Sequence, residues 1–234
     1  MKNFSKSIVV FALAGICLVS CKNETGEKQT STDQVKTPEK QVEKTPEKTP
    51  KASTKTVFNA NLATESDLNT LGLTPEIVSQ IIAKRPFLSM LELEALLKVD
   101  NKEELYKTLF VPFNLNTTAE ADFMMVPGVG KKMAHEFEEY RPYTSVKQFK
   151  REIGKYVDEA EVERYLNYVF VPVELNTATE EDIKALPGVG NKMAHEFDEY
   201  RPYKNLAQFR KEIGKYVDDN ELKRLERLVY LKDN

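Results

Sequence analysis

The chain has 234 residues, with 34 Lys and Arg against 37 Asp and Glu for a formal net charge of −3, and only two cysteines. That balance excludes a protein that coats nucleic acid by bulk positive charge, and the cysteine count excludes a disulfide-stapled scaffold. No Ser/His/Asp set, H-E-x-x-H or G-x-x-x-x-G-K-[ST] pattern occurs, so the expectation is a non-enzyme that needs no cofactor and no metal.

The N-terminus carries Lys2 and Lys6 and then an apolar run from Ile8 to Val19, which reads as a signal peptide over residues 1–20 and is too short for a permanent membrane span. Leu18-Val19-Ser20-Cys21 resembles the lipobox of bacterial lipoproteins. The resemblance implies cleavage before Cys21 and acylation of that residue, giving a lipid-anchored, membrane-tethered protein. The alternative is an ordinary secretory signal that leaves Cys21 as a free thiol. Either way Cys17 departs with the leader, so no disulfide remains within the mature chain.

Residues 21–56 are Lys, Glu, Thr, Pro, Gln and Ser with scarcely an apolar side chain, including KTPEKQVEKTPEKTPK. Such a stretch cannot bury enough surface to fold and is expected to be a disordered stalk, with an end-to-end distance of about 30–40 Å.

Beyond the stalk the chain is repetitive. Asn116, Pro127, Arg141 and Gly154 return as Asn176, Pro187, Arg201 and Gly214, a constant offset of 60 residues. A worn copy precedes them, matching at Ala60 to Leu68, Arg85-Pro86-Phe87 and Phe110 to Pro112, with Gly72-Leu73-Thr74 in place of Pro-Gly-Val-Gly. The predicted units are 57–112, degenerate and read as lacking the turn glycines, 113–172, and 173–234. Phe110-Val111-Pro112 and Phe170-Val171-Pro172 read as tight apolar connectors between them.

Apolar residues recur at helical period throughout. In the third unit Thr179 caps a short helix that stops at Pro187. A second runs from about Asn191 to Tyr200, and a third carries Leu206, Phe209 and Ile213 and breaks at Gly214. A fourth opens at Asp218 to Glu221, at a capping-box spacing repeated in Asp158 to Glu161 and Asn101 to Glu104, and buries Leu222, Leu225 and Leu228 or Val229. Each unit should be four short helices in two antiparallel hairpins, an all-α fold.

Between the first two helices lies VPGVGKK or LPGVGNK. A Gly-rich turn that opens a helix points unpaired N–H groups outward and is the makings of an anion site. One glycine of each pair is expected at positive φ, and neither has a Cβ to block a phosphate. Lys132 and Lys192 sit in the first helical turn, where a cation opposes the macrodipole unless an anion is bound. Each is also four residues from a glutamate, Glu136 or Glu196, and reads equally as half of a surface pair.

The run Leu175-Asn176-Thr177-Ala178-Thr179, Ile183-Lys184-Ala185-Leu186-Pro187-Gly188-Val189-Gly190, then Ala194 and Arg201, is similar to the paired helix-hairpin-helix domain of the ComEA-type competence proteins. The resemblance covers each unit in turn. In the second unit Ala119 stands at a cap position and Val126 replaces Leu, and Glu152-Ile153-Gly154-Lys155 departs from the family's second Gly-hydrophobic-Gly. It implies tandem paired helix-hairpin-helix units, SAM/HhH-like. It also implies sequence-independent binding of double-stranded DNA, with phosphate held by Gly128, Val129, Gly130 and Lys132 and by Gly188, Val189, Gly190 and Lys192. The place implied is the cell envelope, at the periplasmic or surface face of an outer membrane, with a role in DNA uptake.

Charge opposes this. Residues 113–172 hold 8 Lys and Arg against 10 Asp and Glu, and residues 173–234 hold 11 against 13, where DNA binders present a basic face. Lys150, Arg151 and Lys155, with Arg210, Lys211 and Lys215, supply local basic character. A scaffold that binds an envelope protein partner therefore stands beside the DNA reading. His135 and His195 lack ligand-spaced neighbours and read as surface residues, and Tyr140, Tyr143, Tyr156, Tyr165 and Tyr168 as core or rim.

Overall fold

Each of three stretches of chain starts and finishes on the same short parallel ladder. The computed structural model describes residues 57–97 and 101–232; the leader, Cys21 and the stalk lie outside the described residues. The first stretch is β1 (Phe58–Asn59), α1 (Glu65–Asn69), α2 (Pro75–Lys84), α3 (Met90–Leu97), α4 (Lys102–Tyr106) and β2 (Leu109–Phe110). The second is β3 (Phe113–Asn114), α5 (Glu120–Phe123), α6 (Lys131–Glu139), α7 (Val146–Ile153), α8 (Glu159–Tyr165) and β4 (Val169–Phe170). The third is β5 (Val173–Glu174), α9 (Glu180–Lys184), α10 (Asn191–Glu199), α11 (Leu206–Ile213), α12 (Asp219–Glu226) and β6 (Val229–Tyr230).

The fold is mostly helical, in line with the all-α expectation, and the ladders are an addition that the expectation did not include. β1 pairs with β2, β3 with β4 and β5 with β6, all parallel, in the registers Phe58↔Leu109, Phe113↔Val169 and Val173↔Val229. The residues read as connectors are therefore partly strand, and Val229 lies on β6 rather than in the last helix. The β-branched and aromatic side chains of these segments suit a pleat that is buried in β2, β4 and β5 and partly buried in β1, β3 and β6, and Pro112 and Pro172 come after the paired residues, where no ladder donor is missing. Parallel pairing needs a long crossover, which the four helices supply.

Helix starts obey local chemistry. Thr64, Thr74, Asn101, Ser145, Asp158, Thr179, Asn205 and Asp218 each accept a bond from a first-turn amide through the side chain. Gly154 and Gly214 close α7 and α11.

Aromatic side chains link the first and second stretches. Phe110 meets Phe113 and Tyr168 edge to face at 5.1 and 5.0 Å, contacts worth about 0.5–1.5 kcal/mol each beyond area burial. Tyr143, Phe123, Phe137, Phe149, Phe197 and Phe209 fill the interior beneath α5 to α7 and α9 to α11. Among the described residues no helix is long and apolar enough to cross a membrane.

Candidate functional site

A clamp fixes the helix pair that carries each turn. Asn116 Nδ2 donates to the Tyr143 carbonyl at 2.8 Å while the Tyr143 amide donates to Asn116 Oδ1 at 2.7 Å, and Asn176 and Tyr203 repeat the exchange. The Arg141 guanidinium donates to the carbonyls of Leu115 and Thr118, as Arg201 does to those of Leu175 and Ala178. These bonds tie the residues just after α6 and α10 to the loop before α5 and α9. The Asn and Arg of the repeat are thus framework residues, and desolvation lowers the Arg141 pKa without freeing it for a ligand.

At the other end of each pair lies the Gly-rich turn. Gly128 and Gly188 hold φ of 82° and 71°, left-handed backbone that favours glycine. The Val129 amide donates to the Val126 carbonyl at 2.9 Å and Val129 is buried, so this residue anchors the turn from inside; Val189 does the same. Gly130 and Gly190 are extended N-caps, exposed, with open space where a Cβ would stand.

These two caps differ from the others described. Neither α6 nor α10 has a side-chain cap or an acidic residue in its first turn. Their first intrahelical bonds run from Ala134 to Gly130 and from Ala194 to Gly190, and among the described residues the amides of the preceding first-turn residues have no acceptor. The equivalent α2 of the first stretch is closed: Thr74 Oγ1 accepts from the Ile77 amide at 3.4 Å, and Glu76 adds an acid to that turn. Gly72 retains φ of 71° there, so the worn copy has kept its left-handed glycine and replaced only its cap glycine, contrary to the expectation that it lacks both.

The lysines at the turn are unpaired. Lys131, Lys132 and Lys192 are exposed and make no ion pair among the described residues. The expected pairs with Glu136 and Glu196 do not form, because those carboxylates are buried, with Glu136 engaging the Tyr156 hydroxyl and Glu196 that of Tyr216. Glu138 and Glu139 lie at the C-terminal end of α6, about 10 Å along the axis from the turn. The carboxylates of this helix therefore do not wall off its amides.

Other expected cations are spent. Lys150 pairs with Glu163, Arg151 and Lys155 with Glu152, Arg210 with Glu226, and Lys211 and Lys215 with Glu212. The local basic character expected of α7 and α11 is thereby cancelled. His135 and His195 are exposed, the former facing Glu120 at 3.3 Å, which raises its pKa.

Two supports of the turn escaped sequence reasoning. Arg164, held by Glu161 at 2.6 and 2.7 Å, brings Nη2 to 3.2 Å from the place of a Cβ on Gly128. Its mate Arg224 is buried, pairs with Glu221 and donates to the Pro187 carbonyl. The signal available was the shared 60-residue offset combined with the Glu-x-x-Arg spacing. The turns also differ: Leu62 presses on Gly188, and Asn191 replaces Lys131.

A model of the helix-hairpin-helix motif matches residues 169–229, which include β4, the turn at 187–190 and Val229. No curated protein and no solved structure matches the chain.

Proposed function

We propose that the protein binds double-stranded DNA without sequence preference, through the open amides at the N-termini of α6 and α10. The observation that carries this reading is the contrast in capping: α6 and α10 present bare first turns flanked by unpaired lysines, while the equivalent α2 is sealed by Thr74. Bare amides and a macrodipole favour an anion, and a helix-hairpin-helix motif over 169–229 supports phosphate as that anion. The three stretches are, in this reading, tandem paired helix-hairpin-helix units of the ComEA type, and their role is to bind rather than to catalyse.

Lipid on Cys21 would hold these units at the cell envelope, at the periplasmic or surface face of an outer membrane, where duplex could be retained during uptake. Loss of acyl labelling in Cys21→Ala tests the anchor. The spent cations of α7 and α11 favour a second reading, in which the repeats are a scaffold for an envelope protein.

Titration of the full chain into labelled random duplex at about 50 and 200 mM salt separates the two, because phosphate contacts weaken steeply with salt. Binding at the lower salt that falls at the higher supports DNA, and Gly130→Asp should weaken it more than Gly190→Asp, since the third turn has one lysine fewer and Leu62 against it. No binding at the lower salt would favour the scaffold.

A further inference from the structure

A cleft of about 580 Å³ opens where the three stretches meet, and no residue of either Gly-rich turn lines it. The first stretch gives it Leu88 and Ser89, the second Phe113, Asn114 and Thr117, and the third Lys223 and Arg227. Its volume lies within the range of small-molecule sites.

Arg227 is an unusual cation for this chain. Arg164, Arg210 and Arg224 each make two bonds to a carboxylate, whereas Arg227 has no ion pair among the described residues. Its Nη2 donates to the Pro112 carbonyl at 2.5 Å and its Cζ stands 5.2 Å from the Phe170 ring centroid. Desolvation pulls its pKa down to about 10, with Glu92 the acid that acts on it. A guanidinium has five N–H donors, and a single carbonyl uses few of them.

The second and third stretches are otherwise close copies, which makes their differences informative. Arg227 stands where the second copy has Asn167, and Lys223 where it has Glu163. On the facing wall Asn114 stands where the third copy has Glu174, whose carboxylate accepts from the Thr177 hydroxyl at 2.6 Å. With Asn114 in that place, the Thr117 hydroxyl has no partner among the described residues. All three exchanges remove negative charge from the cleft or add positive charge to it. Glu226, the exchange in the other direction, is bound to Arg210 at 2.8 Å, which leaves Asp122 on the cleft wall and Glu92, close enough to act on Arg227, as the acids near the two cations.

We propose that this cleft binds a small organic anion, a carboxylate or phosphomonoester on an apolar or aromatic body. Arg227 and Lys223 take the anionic head, Thr117 and Asn114 donate to it, and Leu88 with Phe113 covers the body. The two heads share planar or trigonal oxygen geometry that a guanidinium fork matches.

Isothermal titration of the full chain with phenyl phosphate, phenylacetate and neutral benzyl alcohol tests this. Saturable binding of one or both anions, at least about tenfold tighter than the alcohol, is expected, and the stronger anion identifies the head. Arg227→Gln should abolish it. Because Arg227 also holds Pro112, Asn114→Glu is the second variant: it restores the third copy's residue, can accept from the Asn116 amide as Glu174 accepts from that of Asn176, and should weaken binding about tenfold or more by repulsion. Gly130→Asp should leave it unchanged. Equal binding of the alcohol, no saturable binding of either anion, or anion binding that survives Asn114→Glu would overturn the proposal.

Discussion

Leu62 of the first stretch rests against Gly188 of the third: a Cβ added to Gly188 would lie 2.7 Å from Leu62 Cδ1 and 2.9 Å from Cδ2. Gly128 has no such neighbour, only the Arg164 guanidinium at 3.2 Å. The copies are thus nearly identical in sequence and differ in surroundings. Both glycines are left-handed, so alanine is strained at either, by about 1 kcal/mol or more. Gly188→Ala must in addition displace Leu62. Urea denaturation should show a larger loss of stability for Gly188→Ala than for Gly128→Ala, and Leu62→Ala should narrow that gap.

The sealed α2 offers a gain-of-function test. Thr74→Gly removes the hydroxyl that accepts from Ile77 and costs only a few tenths of a kcal/mol. With Glu76→Lys it gives α2 an open first turn with one lysine and the free amides of residues 76 and 77, one amide fewer than in α6 because Pro75 has no N–H. Duplex affinity measured by fluorescence anisotropy at low salt should rise in the double variant, and the rise should disappear as salt is added.

Acid should loosen the support of the second turn. The Arg164 guanidinium bonded to Glu161 holds that carboxyl below the ordinary glutamate value of 4.5. A depressed folded pKa contributes stability that is present above the ordinary value and lost as pH falls through the folded one. Arg164→Met keeps an apolar contact over Tyr165 and Tyr168 and removes the pairing. The difference in urea midpoint between wild type and Arg164→Met should therefore be full at pH of about 5.5 and shrink as pH falls below about 4.5.

Helix starts were legible because their chemistry is local. Thr179, Asp158 and Asp218 announced them, since a cap involves one side chain and amides three residues on. The left-handed glycine of each intact turn was legible for the same reason. The ladders were not, because two paired residues are too few to show a period. Thr74 ahead of Pro75 carried a readable cap signal, overshadowed by the loss of Pro-Gly-Val-Gly beside it. Glu136 looked like a partner for Lys132 on spacing alone, but it is buried and engages Tyr156, which also meets Tyr140, a neighbourhood that no helical spacing reveals. Leu62 against Gly188, and the junction around Arg227, arise from how distant stretches pack and leave no trace in the periodicity of either.

Amide NMR of the full chain titrated with random duplex tests the central claim most directly. Phosphate seated on the bare first turn should shift the amide resonances of Gly130, Lys131 and Lys132 saturably, with smaller shifts at Gly190 and Lys192, and added salt should reverse them. Duplex that binds while those amides stay in place, or that moves only residues elsewhere, would contradict the account.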